Sequence, residues 1–303
     1  MQRTVVISGP TASGKSALAL AVAEAIGGEI VSVDSMQLYR GIPIGTAQPT
    51  AEEMRRIPHH LVGIHDFSVK ADVYDFIRLA EDAISEIRSR SKVPVLAGGT
   101  GFYLKALLYG LDDLPGDETL RDQLNEQYDR DDAFDDLRLR MQRLDPAAAA
   151  KWHDCRRKLI RALEVHLLTG RSILELQQGE RKLRFPVQAF TLEWSPEALR
   201  ERIGRRCRIM LESGWIDEAR EAIAGGLLTS PTAYQALGYS WIGEYLANRL
   251  SRPDLERIIV EKTAQFARRQ RTWFRHQHPE SMPIPGSVTA EEVLRHIAGG
   301  EAR

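Results

Sequence analysis

The apolar positions of the first hundred residues switch between two periods. Thr4-Val5-Val6-Ile7-Ser8 is a short β-branched run, and Lys15 to Ile26 is an alanine-rich helical stretch stopped by Gly27-Gly28. Glu29 to Val33 predicts a second strand ending in Asp34, and Val93 to Ala97 a third, followed by the turn Gly98-Gly99-Thr100-Gly101. Between them, Thr50-Ala51-Glu52-Glu53 has capping-box form and opens a short helix that ends before Pro58. From Asp72 onward, Val73, Phe76, Ile77, Ala80, Ile84 and Ile87 keep helical spacing and define one buried face. Strand, helix, strand, helix, strand is the order of a parallel sheet with right-handed crossovers.

After Leu114-Pro115-Gly116 the strand signals stop. The stretch from Asp117 to about Arg184 reads as polar helices, with Leu159, Leu163 and Leu167 on one face, and is taken as a helical insertion. Val187 to Leu192 returns to a strand, and Ser195-Pro196 caps and starts the next helix, which stops near Gly214. Breaks at Gly225-Gly226 and Arg252-Pro253 divide the rest into helices, the last long one ending before Pro279. The expected organisation is an α/β fold: a P-loop NTPase-like parallel-sheet core (1–116), a helical insertion domain (117–184), then the core continuation with C-terminal helices (185–303).

Composition adds little to this picture. A chain of 303 residues that is 43% hydrophobic and 27% charged can bury a core without metal or disulfide staples, and two cysteines, Cys155 and Cys207, exclude a disulfide scaffold or a four-cysteine zinc module. No apolar run is long enough for a signal peptide or a membrane span, so a cytoplasmic protein with no membrane partner is expected. The net charge of −1 conceals an uneven distribution. Eleven acids and two arginines lie between Asp112 and Asp136, whereas Arg156-Arg157-Lys158 with Arg161, Arg200 to Arg208, and Arg268 to Arg275 are basic. Each basic cluster alone is an ordinary solvated helix face; three together favour a phosphate-rich partner.

Gly9-Pro10-Thr11-Ala12-Ser13-Gly14-Lys15-Ser16 is a P-loop between an apolar strand and a helix. Its backbone amides and the helix N-terminus suit a di- or triphosphate, Lys15 neutralises the anion, and the Ser16 hydroxyl is placed to hold Mg²⁺. By motif alone this would be an ATP site. In an open parallel sheet, ligands sit beyond the carboxyl ends of the strands, which brings Asp34 and Thr100 towards the loop. Asp34-Ser35 reads equally as a magnesium ligand, an acceptor base or the cap of the next helix. Strand three ends in Gly-Gly-Thr where a P-loop ATPase would place a metal-binding aspartate, which weakens the ATPase reading.

Taken in order, the P-loop, Asp34-Ser-Met-Gln-Leu-Tyr-Arg-Gly41, Ile44-Gly-Thr-Ala47, Pro58-His-His-Leu61, Gly98-Gly-Thr100, Arg161-Ala-Leu-Glu164, Gly238-Tyr239 and Arg269-Gln-Arg-Thr-Trp-Phe-Arg275 resemble the tRNA dimethylallyltransferase (tRNA isopentenyltransferase) family. The resemblance implies transfer of a dimethylallyl group from its diphosphate to N6 of the adenosine directly 3′ of the anticodon, in tRNAs reading codons that begin with U. It implies that the P-loop holds a pyrophosphate leaving group, with Thr11, Lys15, Ser16 with Mg²⁺, Thr100 and Arg206 stabilising the charge that develops there. Arg202 and Arg205 lie within a turn of Arg206. Asp34 matches the general base that takes the N6 proton.

By the same resemblance, Asp34, Ser35, Met36, Gln37 and Thr100 would meet the target adenosine. Arg157, Lys158, Leu159, Ile160 and Arg161, then Gln235, Gly238 and Tyr239, then Arg268, Arg269, Gln270, Trp273 and Arg275 would contact the anticodon stem-loop. Trp273 and Phe274 fit core packing of the last helix equally well. Ser240, Gln48, Asp154-Cys155 and Ala264 depart from the family pattern at RNA-facing positions. His59 and His60 lack a metal-ligand pattern and read as structural. Nothing indicates an obligate interface, so a monomer is expected. Competing readings are a P-loop kinase of a small metabolite, an RNA-binding protein with a P-loop switch, and a prenyltransferase of free adenine nucleotides.

Overall fold

A computed structural model of the chain describes residues 3–177, 182–278 and 280–299. The chain divides into two compact units, 1–108 with 183–303, and 109–182.

The first unit is built on a parallel sheet. In chain order it contains β1 (Thr4–Ser8), α1 (Lys15–Ile26), β2 (Gly28–Val33), α2 (Pro43–Thr46), α3 (Ala51–Arg56), β3 (His59–His60), α4 (Val73–Ser89), β4 (Val93–Gly98) and α5 (Gly101–Tyr109). The second unit then contributes α6 (Glu118–Tyr128), α7 (Phe134–Leu144), α8 (Pro146–Lys151), α9 (Arg156–Thr169) and α10 (Ile173–Leu176). The first unit resumes with β5 (Val187–Glu193), α11 (Pro196–Glu212), α12 (Trp215–Ala224), α13 (Tyr239–Leu246), α14 (Arg252–Gln277), β6 (Ser281–Pro285) and α15 (Ala290–Gly299).

Among the described residues, six strands run in the order β3-β2-β4-β1-β5-β6, every neighbouring pair parallel. β1 lies at the centre, in register with Val95–Gly98 on one side and Val187–Thr191 on the other. Its five residues are all buried, which is why it reads as a continuous apolar run and not as an alternation. Val5, Ile7, Leu18, Val22, Ile30, Val95, Phe190 and Leu192 form the core between the sheet and α1. The Thr50 capping box and the Asp72 cap that begin α3 and α4 are both formed.

The second unit has its own core of Leu124, Leu137, Met141, Leu159, Ile160 and Leu163. Glu164 is buried within it, ion-paired with Arg121 at 2.9 Å and Arg161 at 2.7 Å, and it accepts the Asp117 amide at 3.0 Å. Leu167 corrects the expected helix face: it is 43% exposed, while Leu159 and Leu163 are fully buried. Near the end of α9 the core-facing stripe has already turned past it. The chain leaves the first unit after Leu108 and returns at Leu183, and the Arg184 amide donates to the Leu108 carbonyl at 2.8 Å.

Among the described residues, no helix is long and apolar enough to cross a membrane.

Candidate active site

The carboxyl ends of β1, β2 and β4 and the N-termini of α1 and α5 meet at one edge of the sheet. Gly14, at φ 94°, is the left-handed cap that turns the chain from the loop after β1 into α1. Ser13 is buried with its hydroxyl unpartnered, and the Lys15 ammonium donates back to the Pro10 carbonyl at 3.2 Å. Ser16 opens outward on the first turn of α1. Burial pushes the Lys15 ammonium down to about 8, with the Asp34 carboxylate pulling it up and the Arg206 guanidinium pushing it further down.

Helix α11 crosses in front of this loop. Arg206 Nη1 donates to Thr11 Oγ1 at 3.1 Å, and Arg202 Nε donates to the Ala12 carbonyl at 2.8 Å while its guanidinium stacks 4.4 Å from the Trp194 ring centroid. Burial lowers both guanidinium pKa values, with Arg205 adding to the effect at Arg202. A cleft of about 450 Å³ opens here. Its lining includes Lys15, Arg202, Arg205 and Arg206 together with the apolar Leu20, Ile30 and Ala97. Such a cleft can hold a polyanion against the cations and an uncharged tail against the apolar side chains.

Asp34 follows β2, and its carboxylate accepts the Met36 amide at 3.0 Å. Thr100 follows β4; its amide donates to the Val33 carbonyl and its hydroxyl accepts the Ser35 amide, both at 3.1 Å. The loop after β2 is fixed by Gln37, which receives Ser32 Oγ at 2.8 Å and donates to the carbonyls of Thr46 and Ala47. Gln48 donates to the carbonyls of Gln37 and Tyr39 at 3.2 and 2.7 Å, so this departure from the family pattern braces the loop it borders.

Helix α2 is held from its other end. The Glu218 carboxylate accepts the amides of Ile44 at 2.5 Å and Gly45 at 2.9 Å, and the Tyr239 hydroxyl at 2.6 Å. Tyr239 is fully buried, and burial beside Glu218 pushes its phenol pKa strongly up. A Cβ on Gly238 would collide with the Trp215 ring.

The sheet edge thus brings together Thr11, Lys15, Asp34, Thr100 and Arg206. Exposed Arg268, Arg269 and Arg275 lie on α14 of the same unit, and Gln235 is exposed in the turn before Gly238. Arg157, Lys158 and Arg161 belong to the second unit, and Leu159 and Ile160 beside them are buried in its core. Tyr239 and Gln270, expected among the RNA contacts, present no side chain to solvent: Tyr239 is tied to Glu218, and Gln270 is bonded to backbone. Trp273 is half-buried, its ring filling the space a Cβ on Gly101 would need, and Phe274 is core. Cys207 lies on the buried face of α11, where burial pushes its thiol up to about 11.

Phe102 escaped the sequence reading. It is 47% exposed on the first turn of α5, and Trp273 meets it edge-on with ring centroids 6.3 Å apart. An aromatic beside Gly-Gly-Thr-Gly looks like helix core in the sequence, and only the fold turns it outward. Glu218 was equally silent, because its partners are two backbone amides and a phenol far away in the chain.

The oxygen donors at the sheet edge are the hydroxyls of Ser16 and Thr100 and the Asp34 carboxylate. That set suits a hard cation held chiefly by a diphosphate and water, the usual manner for magnesium. Among the described residues, no group of three or more His, Cys, Asp or Glu side chains could hold a metal by itself.

Comparison with known proteins shows which family the chain belongs to. A family model described as IPP transferase matches residues 37–277. The tRNA dimethylallyltransferase of Geobacter metallireducens is 42% identical over 277 residues, covering 90% of this chain and 89% of that protein. The corresponding protein of Geobacillus kaustophilus is 38% identical, covering 98% and 97%. Among solved structures, the full-length tRNA isopentenylpyrophosphate transferase of Bacillus halodurans superposes with a TM-score of 0.72 at 34% identity, over 99% of this chain and 96% of that one. A eukaryotic dimethylallyltransferase acting on tRNA gives 0.75 at 26% identity, over all of this chain and 78% of that one. The chain belongs to the IPP transferase family.

Proposed function

We propose that the protein is a tRNA dimethylallyltransferase, moving a dimethylallyl group from dimethylallyl diphosphate to N6 of the adenosine 3′-adjacent to the anticodon in tRNAs reading UNN codons. The observation that carries this reading is the Arg206–Thr11 contact over a P-loop that faces Asp34 and Thr100, beside a cleft lined by Lys15, Arg206 and the apolar Leu20, Ile30 and Ala97.

The chemistry follows from that arrangement. The diphosphate sits in the loop from Gly9 to Ser16, with Lys15 and Arg206 against its charge and the prenyl tail against the apolar residues of the cleft. When the bond from prenyl C1 to the diphosphate oxygen breaks, negative charge grows on the departing group, where these donors are already oriented. Ser16 and the diphosphate would hold magnesium, which would supply further neutralisation. The N6 lone pair forms the new bond to C1, and Asp34 takes the N6 proton as positive charge builds on nitrogen. Thr100 fixes the backbone beside Asp34. The product is N6-(dimethylallyl)adenosine and pyrophosphate.

To be reached, the adenosine must leave its stack. Ser35, Met36 and Gln37 line the route past Asp34. Phe102, braced by Trp273, offers a ring on which a neighbouring loop base stacks, and Arg268, Arg269 and Arg275 meet the backbone phosphates of the anticodon stem-loop. The second unit adds Arg157, Lys158 and Arg161 as further RNA contacts, with Leu159 and Ile160 positioning them from its core.

The test is transfer of labelled prenyl from dimethylallyl diphosphate, in magnesium buffer, to unmodified tRNA with an A-rich anticodon loop, beside an adenine nucleotide acceptor. Label in tRNA alone is expected. Label in the nucleotide moves the function to a free-adenine prenyltransferase. ATP consumption with neither labelled makes the protein a small-metabolite kinase.

A further inference from the structure

Gln270 stands among the arginines of α14 yet faces away from them. It is 8% exposed, whereas Arg268 and Arg269 just before it are exposed. Both ends of its amide are engaged. Oε1 accepts the Thr11 backbone amide at 2.8 Å, and Nε2 donates to the Gly99 carbonyl at 2.8 Å. The two bonds agree on the orientation of the amide, since an N–H must meet oxygen and a carbonyl must meet N–H. One side chain therefore spans the loop after β1 and the loop after β4.

The space for it is made by Gly99. A Cβ there would lie 2.6 Å from Gln270 Nε2, and 3.3 and 3.4 Å from the Gly9 carbonyl oxygen and Lys15 Nζ. Any larger residue would drive the amide out of the gap. Thr11 receives the Arg206 guanidinium on its side chain, and Thr100 receives the Ser35 amide on its hydroxyl. The brace thus sits one residue from each group argued above to stabilise or orient the reacting atoms.

We propose that Gln270 is a positioning residue that sets the Thr11 loop against the Gly99-Thr100 loop, and that it does not contact RNA. This rests on the function proposed above. Gln270 shares a helix with the exposed arginines, so the element that would dock the RNA is also bonded to the loop that would hold the diphosphate. Without the amide, the Thr11 loop is fixed by fewer contacts and must be ordered by the ligand itself, which weakens binding of the anion.

The test is a titration with inorganic pyrophosphate in magnesium buffer, set beside binding of an unmodified anticodon stem-loop RNA. Gln270→Met keeps the volume and removes both bonds. It is expected to weaken pyrophosphate binding about tenfold, the scale of two buried hydrogen bonds, with RNA affinity within about twofold of wild type. Gln270→Glu keeps an acceptor for the Thr11 amide, removes the donor to Gly99 and puts negative charge beside that carbonyl, so it breaks the Gly99 bond if the methionine variant does not fold; it too should weaken pyrophosphate and spare RNA. Gly99→Ala should weaken pyrophosphate by expelling the amide, and adding Gln270→Met should cost nothing more. Unchanged pyrophosphate affinity in the folded variants, RNA affinity falling in its place, or additive losses in the Gly99 pair would each overturn the inference. Wild-type protein that binds pyrophosphate but transfers no label would sink the proposed function and leave the brace measurable.

Discussion

Thr100 Oγ1 accepts the Ser35 amide at 3.1 Å, so the loop after β4 holds the backbone directly beside Asp34. Thr100→Val keeps the shape and removes the acceptor, leaving a part-buried amide without a partner. Single-turnover transfer should slow by roughly tenfold to a hundredfold, and Thr100→Ser should recover most of it. A valine variant as fast as wild type would remove Thr100 from the site.

Asp34→Asn preserves the hydrogen bond to Met36 through the amide oxygen but has no basic oxygen for the N6 proton. Transfer should fall by about 10²–10⁴ while RNA binding stays near wild type. Filter binding and a labelled-prenyl time course on one preparation separate the two, and a retained rate would rule out Asp34 as the base.

Lys15 gives the site a pH dependence of definite sign. With its ammonium at about 8 in the folded chain against 10.5 in the reference state, ligand-free protein loses that charge as pH rises through about 8. Pyrophosphate affinity should therefore decline across that range, and binding near pH 8 should take up protons, visible by calorimetry in buffers of different ionisation enthalpy. Lys15→Met should weaken binding about tenfold or more at neutral pH and abolish the uptake. The stability term has the opposite slope. Between about 8 and 10.5 the unfolded chain holds the extra proton, so the wild type gains stability there with rising pH and the methionine variant does not.

Phe102 is exposed and touches no part of the P-loop core cluster. Phe102→Ala should weaken RNA binding about tenfold, the scale of one lost base-stacking contact, and Phe102→Tyr should restore it. Pyrophosphate binding should be unaffected by either. Equal RNA affinity of Phe102→Ala and wild type would exclude the stacking role.

Glu218 carries a structural prediction. Glu218→Ala strands two backbone amides and the Tyr239 hydroxyl in a dry setting, which should cost about 3–5 kcal/mol of stability in urea unfolding. Tyr239→Phe removes one bond of that set and should cost about 1 kcal/mol. Equal losses would mean that the carboxylate is not holding α2.

What the sequence revealed and hid follows from the range of the interactions. β1, α1, β2 and α4 were legible because their periods and caps are local. β3 is two residues long, too short to show any period. β6 reads Ser-Met-Pro-Ile-Pro, and its prolines argue against a strand until it is seen to lie at the edge, paired only with β5. The P-loop could be found because its chemistry resides in its own residues and spacing, whereas spacing left Asp34 between three roles and only the family resemblance chose among them. Gln270, Glu218 and Phe102 could not be read this way, because their meaning depends on Thr11, Gly45 and Trp273, each far off in the chain. Gln270 sits in a motif whose arginines are exposed, while its own amide is bonded to the Thr11 and Gly99 backbone.

The hydrogen bond from the Arg184 N–H to the Leu108 carbonyl ties together the points where the chain leaves the first unit and returns to it. Seen from the sheet, everything between those residues is a closed loop, whose entropic cost grows only with the logarithm of its length. The register of β5 against β1 is set by contacts on the near side of that bond. Helices can accordingly be lengthened, exchanged or recharged beyond it without moving a strand. A lineage could remodel that unit while inheriting the sheet edge intact.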